Sequence, residues 1–296
     1  MKVSRRILSL ALATTRGIGG RTVSRVLARN DVLGISPEEF VRLRECALCE
    51  EYRFPKRVAS EWVTRVRQRL EEATQLSDRL DSLGVTWVTL ADFDYPRAIE
   101  EMAPDPPGVL FLYGNTKLLE LPLFCVLSSR KSPPAAMAQI EAIAETEVLT
   151  GKVLVSSHDT PEYQRSAVVP LRWGAPRVLI LDRGLFASLG ENLDEEPFAA
   201  ARMWRYQFDP ITDLVVSPVK PEVEFQPRAN QARDQLVAGL SRLVVLVWPT
   251  PGGMMERLGR LALKAGRQVQ ISDISPLAGE FVTLGAERRQ VERAAG

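Results

Sequence analysis

Four small groups of residues have types and spacings that can do chemistry. Gly252 and Gly253 closely follow Leu243–Val247, an unbroken apolar run bounded by Pro249 and Pro251, and a helical pattern starts immediately after them. Two glycines between a strand and a helix let backbone N–H groups point at an anion, with the helix N-terminus adding a favourable field. They equally suit a plain tight turn, and the local sequence leaves both readings open. Ser128-Ser129-Arg130-Lys131-Ser132 follow another apolar run, LFCVL. Arginine with hydroxyls at a strand end suits phosphate recognition through bidentate, charge-assisted hydrogen bonds; a solvated Arg-Lys pair on a turn is the plainer alternative. His158, the only histidine, stands beside Asp159 and can form an acid–base pair with it. No nucleophile or second base lies at a meaningful spacing, which favours an ordinary polar loop. Cys46 and Cys49 make one CxxC inside the charged stretch RECALCEEYRF. With no second pair at zinc-site spacing and no histidine nearby, two cysteines on one helix face are expected and no metal site.

These groups need elements to position them. From Val109 onward the sequence alternates strands and helices. The expected strands are Val109–Tyr113, Leu123–Leu127, Val153–Ser156, Val178–Leu181, Leu214–Val216, Leu243–Val247 and Val269–Ile271. The expected helices are Pro134–Leu149, Pro161–Trp173, Glu196–Gln207, Ala229–Leu240 and Met254–Ala265. Continuous apolar strands between helical patterns predict an α/β domain with a Rossmann-like, doubly wound, mostly parallel sheet. Ligands of such sheets bind beyond the carboxyl ends of the strands, where the loop starting at Ser128, the Ser156–Tyr163 loop and the Gly252 turn would meet.

Residues 1–84 read as a small all-helical domain of the helix-hairpin-helix or SAM-like kind, followed by the α/β domain over 85–290. Thr14-Thr15-Arg16-Gly17-Ile18-Gly19-Gly20 sits between two helical patterns. Backbone amides in such a Gly-hydrophobic-Gly turn can hold a DNA phosphate, and a turn used only for packing fits as well. Ser36-Pro37-Glu38-Glu39 carries the residues of a helix start. Residues 1–30 contain seven Lys/Arg (Lys2, Arg5, Arg6, Arg16, Arg21, Arg25, Arg29) and no acid, a charge asymmetry that hints at a polyanionic partner. Arg16, Gly17, Gly19, Arg21 and Arg25 are therefore the expected N-terminal DNA contacts. The whole chain of 296 residues carries a net charge of only +1, which argues against a protein that simply coats nucleic acid. Three cysteines exclude a disulfide framework, and no apolar run reaches the length of a membrane span. Arg5-Arg6 before ILSLALA resembles a signal peptide only faintly, since the apolar stretch is short and no cleavage site follows; a cytoplasmic protein is expected.

The run Arg233-Asp234-Gln235-Leu236-Val237-Ala238-Gly239-Leu240-Ser241, then an apolar strand, a Gly turn, a helix and Gly266-Arg267, resembles the DNA-processing protein A (DprA/Smf) family. That family has Arg-Asn-Arg-Ile-Ile-Ala-Gly-Leu-Ser, then Ser-Gly-Ser, then a Gly-Arg pair. Here Asp234 and Gln235 replace Asn and Arg, and Gly252-Gly253-Met254 stand where Ser-Gly-Ser would. Tyr95-Pro96 and Pro106-Pro107-Gly108-Val109-Leu110 resemble the family's Tyr-Pro and Pro-Pro-x-Val-Leu. Ser129 and Arg130 match the family's Gly-Ser-Arg-x-x-Ser, with Ser128 in place of the Gly. Of the family's Ser-Gly-x-Ala-x-Gly-Ile-Asp, only Ser156 remains; the following Ala-His is Ser166-Ala167, and the family's Ser-Glu is Ser217-Pro218.

The resemblance spans about residues 92 to 272. It implies a protein that binds single-stranded DNA and helps load the recombinase RecA, without catalysis or cofactor, as a homodimer. A specialised role in mobile-element or phage DNA is a variant of that expectation. The implied phosphate contacts are Ser129, Arg130, Lys131, Ser132, Ser156, Arg233, Gln235, Gly252 and Gly253. Arg130 and Arg233 are expected to reach one exposed surface and hold one strand's phosphates. Two other readings stay open on the same fold. Pro251-Gly252-Gly253-Met254-Met255-Glu256 begins like the Pro-Gly-Gly-x-Gly-Thr-x-x-Glu run of "lonely guy" nucleotide N-glycosidases, without the Gly-Thr and with Glu256 too early. The other is a nucleotide-sensing or scaffold protein.

Overall fold

The computed structural model describes residues 3–290, so Lys2 lies outside the described residues. The chain divides into two compact units, one running to Tyr95 with Asp105–Phe111, the other made of Pro96–Pro104 and the chain from Leu112 on. The sequence placed this boundary at residue 84; by packing, residues 85–95 and 105–111 go with the helices.

The first unit contains α1 (Arg5–Ala13), α2 (Gly20–Leu33), α3 (Pro37–Val41), α4 (Glu45–Glu50), α5 (Lys56–Ser82) and β1 (Thr86–Thr89). Ser36 starts α3 with a full capping box: its hydroxyl accepts from the Glu39 N–H, and Glu39 returns a bond to the Ser36 N–H at 2.7 Å. Leu8, Leu10, Leu12, Val23, Val26, Phe40, Tyr52 and Trp62 form a buried interior, with Phe40 edge-on to Tyr52.

In the second unit the short helix α6 (Ala98–Met102) precedes β2 (Val109–Gly114), whose last three residues belong to this unit. Then follow β3 (Leu123–Ser128), α7 (Pro134–Leu149), β4 (Val153–Ser156), α8 (Pro161–Trp173), β5 (Arg177–Ile180), α9 (Leu185–Leu189), β6 (Leu214–Ser217), α10 (Ala229–Leu240), β7 (Leu243–Trp248), α11 (Met254–Lys264), β8 (Gln268–Ser272), α12 (Ala278–Thr283) and β9 (Glu287–Arg289). The strand order is β6-β5-β4-β3-β7-β8-β9, and neighbours run parallel throughout. This is the doubly wound arrangement expected from the alternating pattern. Buried faces explain the unbroken apolar strands. Phe124, Val126, Leu154, Leu243, Val245 and Val247 meet Ala136, Ile140, Ile143 and Ala144 of α7 on one face. Leu246, pointing the other way, lies against Gly259 of α11.

Three elements differ from expectation. Residues 196–207 do not form a helix; they hold only a 3-10 turn at Ala199–Met203, with Met203 and Tyr206 exposed. Beyond Pro276, where no element was expected, α12 and β9 follow, and β9 extends the sheet at its edge. β9 reads Glu-Arg-Arg, and charges on an edge strand discourage pairing with another chain.

The Gly17–Gly20 turn is packed. A Cβ on Gly20 would lie 2.6 Å from the Pro106 carbonyl oxygen and 3.0 Å from Gly108 Cα. One on Gly19 would lie 3.1 Å from a carboxylate oxygen of Asp105, so an acid of the chain lies beside the start of α2. Gly17 has a positive φ of 88°, and a Cβ there would lie 3.0 Å from Val58. Arg16, Arg21 and Arg25 are exposed around this turn. Gly20→Ala is expected to destabilise the first unit by about 1–3 kcal/mol in urea unfolding, the usual result of overpacking. A silent substitution would mean that the turn is open.

Candidate nucleic-acid interface

β3 and β7 are adjacent, yet the chain leaves their carboxyl ends toward opposite faces of the sheet, into α7 and α11. That divergence is the topological switch point at which open α/β sheets bind ligands. A crevice of about 370 Å³ opens there. Ser128, Ser129 and Arg130 line it from the β3 loop, Met254 and Met255 from the start of α11, and Thr160 and Tyr163 from the start of α8. Pro227, Asn230, Gln231, Arg233 and Asp234 come from α10 and the residues before it. Thr160 is fixed as the cap of α8, its hydroxyl accepting from the Tyr163 N–H at 3.3 Å.

Arg130 and Arg233 both reach the crevice, in opposite states. The Arg130 side chain is 67% exposed, with its nearest carboxylate, Asp159, at 3.7 Å. Arg233 is 1% exposed. Its Nε donates to Asp234 at 2.7 Å, and one terminal nitrogen donates to Asp159 and to Ser157 Oγ. Its guanidinium also lies 4.8 Å from the centre of the Tyr163 ring, whose hydroxyl donates to Asp234 at 2.8 Å. Burial lifts the Asp234 carboxyl above its ordinary range and lowers the Arg233 guanidinium below its own, so removal from water outweighs their mutual attraction on both partners. Burial likewise raises the Tyr163 hydroxyl, and the Asp234 charge adds to this. Arg233 is thus a buried, internally neutralised cation, and this corrects the expectation of an exposed phosphate ligand.

The backbone donors at the two loops are committed in the same way. The Gly252 N–H donates to Glu256 Oε2 at 2.6 Å, and the Gly253 N–H to the Thr250 carbonyl at 2.9 Å. Gly252 has φ +73°, a region that glycine occupies at little cost. The tight-turn reading therefore describes these two glycines, and Glu256 supplies the anion. Hydrogen bonds from Arg260 and then from Gly252 hold the Glu256 carboxyl below its ordinary range. On the β3 loop, the Ser132 N–H donates to Glu162 at 3.2 Å, and the Ser128 and Ser132 hydroxyls lie 2.7 Å apart. Ser129 Oγ accepts from the Thr250 N–H at 2.8 Å, tying the two loops together. Lys131 is exposed and adopts φ +63°.

Ser156 and Gln235 do not join the crevice. Ser156 is buried, with its hydroxyl 3.1 Å from Ser166 Oγ, so the expected phosphate contact is a structural bond beneath the loop. Gln235 is half-buried on α10, outside the lining. His158 is 7% exposed and stacks on Phe198, ring centres 5.8 Å apart. Burial pushes it down to about 4, opposed by Asp182 and assisted by neighbouring arginines. Asp159 serves Arg233 and Arg130 instead, so the adjacent pair is no acid–base couple. The crevice residues that sequence reasoning missed are Thr160, Tyr163, Pro227, Asn230, Gln231, Asp234, Met254 and Met255. The available signal was an acid beside Arg233 where the resembled family has asparagine.

Fold and site together define a Rossmann-like, doubly wound α/β protein with a helical unit ahead of it and a crevice at the switch point. No family model and no curated protein matches the sequence. Among solved structures, the fold is similar to that of DNA processing protein A (DprA) from Streptococcus pneumoniae: TM-score 0.71, 19% identity, 98% of this chain and 95% of that one covered. It is also similar to DNA processing protein A from Helicobacter pylori, whose structure concerns its single-stranded DNA binding mode, with TM-score 0.52, 17% identity and coverage of 69% and 90%. Among the described residues no helix is long and apolar enough to cross a membrane.

Proposed function

We propose that the protein binds single-stranded DNA at the switch-point crevice, as a binding protein and not as a catalyst. The observation that carries this reading is the crevice itself, opening beside an arginine whose charge remains in solvent: Arg130 is 67% exposed, while Arg233 is closed off. A guanidinium at the rim suits one phosphate of a strand lying across the mouth. The likeness to the fold of DNA processing protein A supports the choice of single-stranded DNA. A role in recombination, with RecA as partner and a homodimer as the working form, rests on the family resemblance alone.

Arg130→Ala tests this in titrations of labelled oligo(dT) at several salt concentrations. One lost phosphate contact should flatten the slope of log affinity against log salt by about 0.7. Because Arg233 is buried, the flattening is expected from Arg130 alone and not twice over. A wild-type protein that fails to bind oligo(dT) at low salt overturns the reading.

A further inference from the structure

We infer that the protein carries a second contact for a single strand, a platform of exposed aromatic rings at the end of the sheet opposite the crevice; it takes its ligand class from the reading above. The 3-10 turn Ala199–Met203 and the residues after it present Met203, Trp204 and Tyr206 to solvent, and Trp173 is exposed at the end of α8. These side chains share one patch. The Arg172 guanidinium lies 5.8 Å from the centre of the Trp204 ring. Arg172 and Trp173 both reach one edge of α7, at Glu141 and Glu145, each at 2.7–2.9 Å. Trp173 stands just ahead of β5, and Arg205 donates to Asp213, just ahead of β6, at 2.6 Å. The patch therefore lies at the amino ends of the strands. The crevice lies at their carboxyl ends, and the length of α8, about 20 Å, separates the two.

The segment is tied down from beneath while its rings face water. Phe198 and Ala201 are buried, and the N–H groups of Trp204 and Arg205 both donate to the Ala201 carbonyl at 3.0 Å. Large apolar side chains left together at the surface mark a binding site. Charge and size narrow the ligand. Arg172 is paired with Glu141 and Arg205 with Asp213, whereas Arg202 is exposed with no ion pair among the described residues. One free cation among aromatic rings suits a strand whose bases stack on the rings and whose phosphate meets Arg202. A specific protein partner takes about 20–30 residues a side, far more than this patch offers. A single strand needs one ring for each stacked base. Because both contacts sit on one unit, a strand long enough to touch both gains by linkage.

The test titrates labelled oligo(dT), about 16 nucleotides long, into wild-type protein and into the double variant Trp204→Ala, Tyr206→Ala. The double variant is expected to bind at least about tenfold more weakly, within the range for lost base stacking. Its salt slope should stay unchanged, because the rings carry no charge; Arg130→Ala flattens that slope instead. Tyr206→Ala alone removes a ring that is 81% exposed and is expected to weaken binding about fivefold, while Tyr206→Phe keeps the wild-type affinity. If the double variant melts early, Tyr206→Ala decides. Wild-type affinity in Tyr206→Ala overturns the platform and leaves the crevice reading standing. A wild-type dimer that dissociates in the double variant, measured by sedimentation without DNA, makes the patch a contact between copies and also overturns it. Wild-type protein that fails to bind oligo(dT) at low salt overturns it together with the function proposed above.

Discussion

Replacing Arg233 with alanine is expected to destabilise the second unit by about 3–5 kcal/mol, the usual result of breaking a buried ion pair from one side. The substitution leaves the side chains of Asp159 and Asp234, 9% and 10% exposed, without their shared cation, and removes the guanidinium from the Tyr163 ring. Urea unfolding at neutral pH measures this directly. Arg130→Ala is the internal comparison; that side chain is 67% exposed, and its loss should change stability by less than about 1 kcal/mol. The triple substitution Arg233→Met, Asp159→Asn, Asp234→Asn should recover much of the loss, because a neutral set has no stranded charge. If Arg233→Ala unfolds at the same urea concentration as wild type, the buried network does not hold the crevice together.

The second large effect is on acid stability. His158 is pushed by burial from its ordinary value of 6.5 down to about 4. The folded state thus favours the neutral ring, and the unfolded chain binds more protons between those two values. The contribution of His158 to stability is complete above about pH 6.5 and is lost as pH falls toward 4. The difference amounts to about 3 kcal/mol at 1.36 kcal/mol per pH unit. Unfolding free energy measured from neutral pH down to about pH 5 should fall along this course. His158→Phe, which keeps a ring against Phe198, should flatten it. An unchanged acid limb in that variant would assign the loss to carboxylates. Since His158 is the only histidine, no second imidazole confuses the result.

Strands and most helices of the second unit were legible because burial on both faces leaves runs such as LFCVL and LVVLV without polar interruption. Residues 196–207 misled because a short apolar cluster imitates helical spacing, while much of it is exposed and irregular. β9 was invisible for the opposite reason: an edge strand of charged residues carries no apolar signal. The site was legible as a place and not as a state of charge. Loops after β3 and β7 could be located from their strands, but whether Arg233 is open or closed depends on Asp159, 74 positions away. Gly19 likewise lies beside Asp105, far along the chain. Long-range carboxylates decide these points, and local spacing does not encode them.

The Arg233 network also has a consequence for how this sequence can change. Asp234→Asn alone would bring back the residue of the resembled family. It would also take one negative charge from Arg233 and exchange the carboxylate that Tyr163 donates to for an amide. Gln235→Arg alone would add a cation on α10 while leaving every acid of the crevice in place. The step at position 234 therefore disturbs a charge balance that Asp159 and Arg233 share. Substitutions at positions 159, 233 and 234 should be tolerated together and not singly.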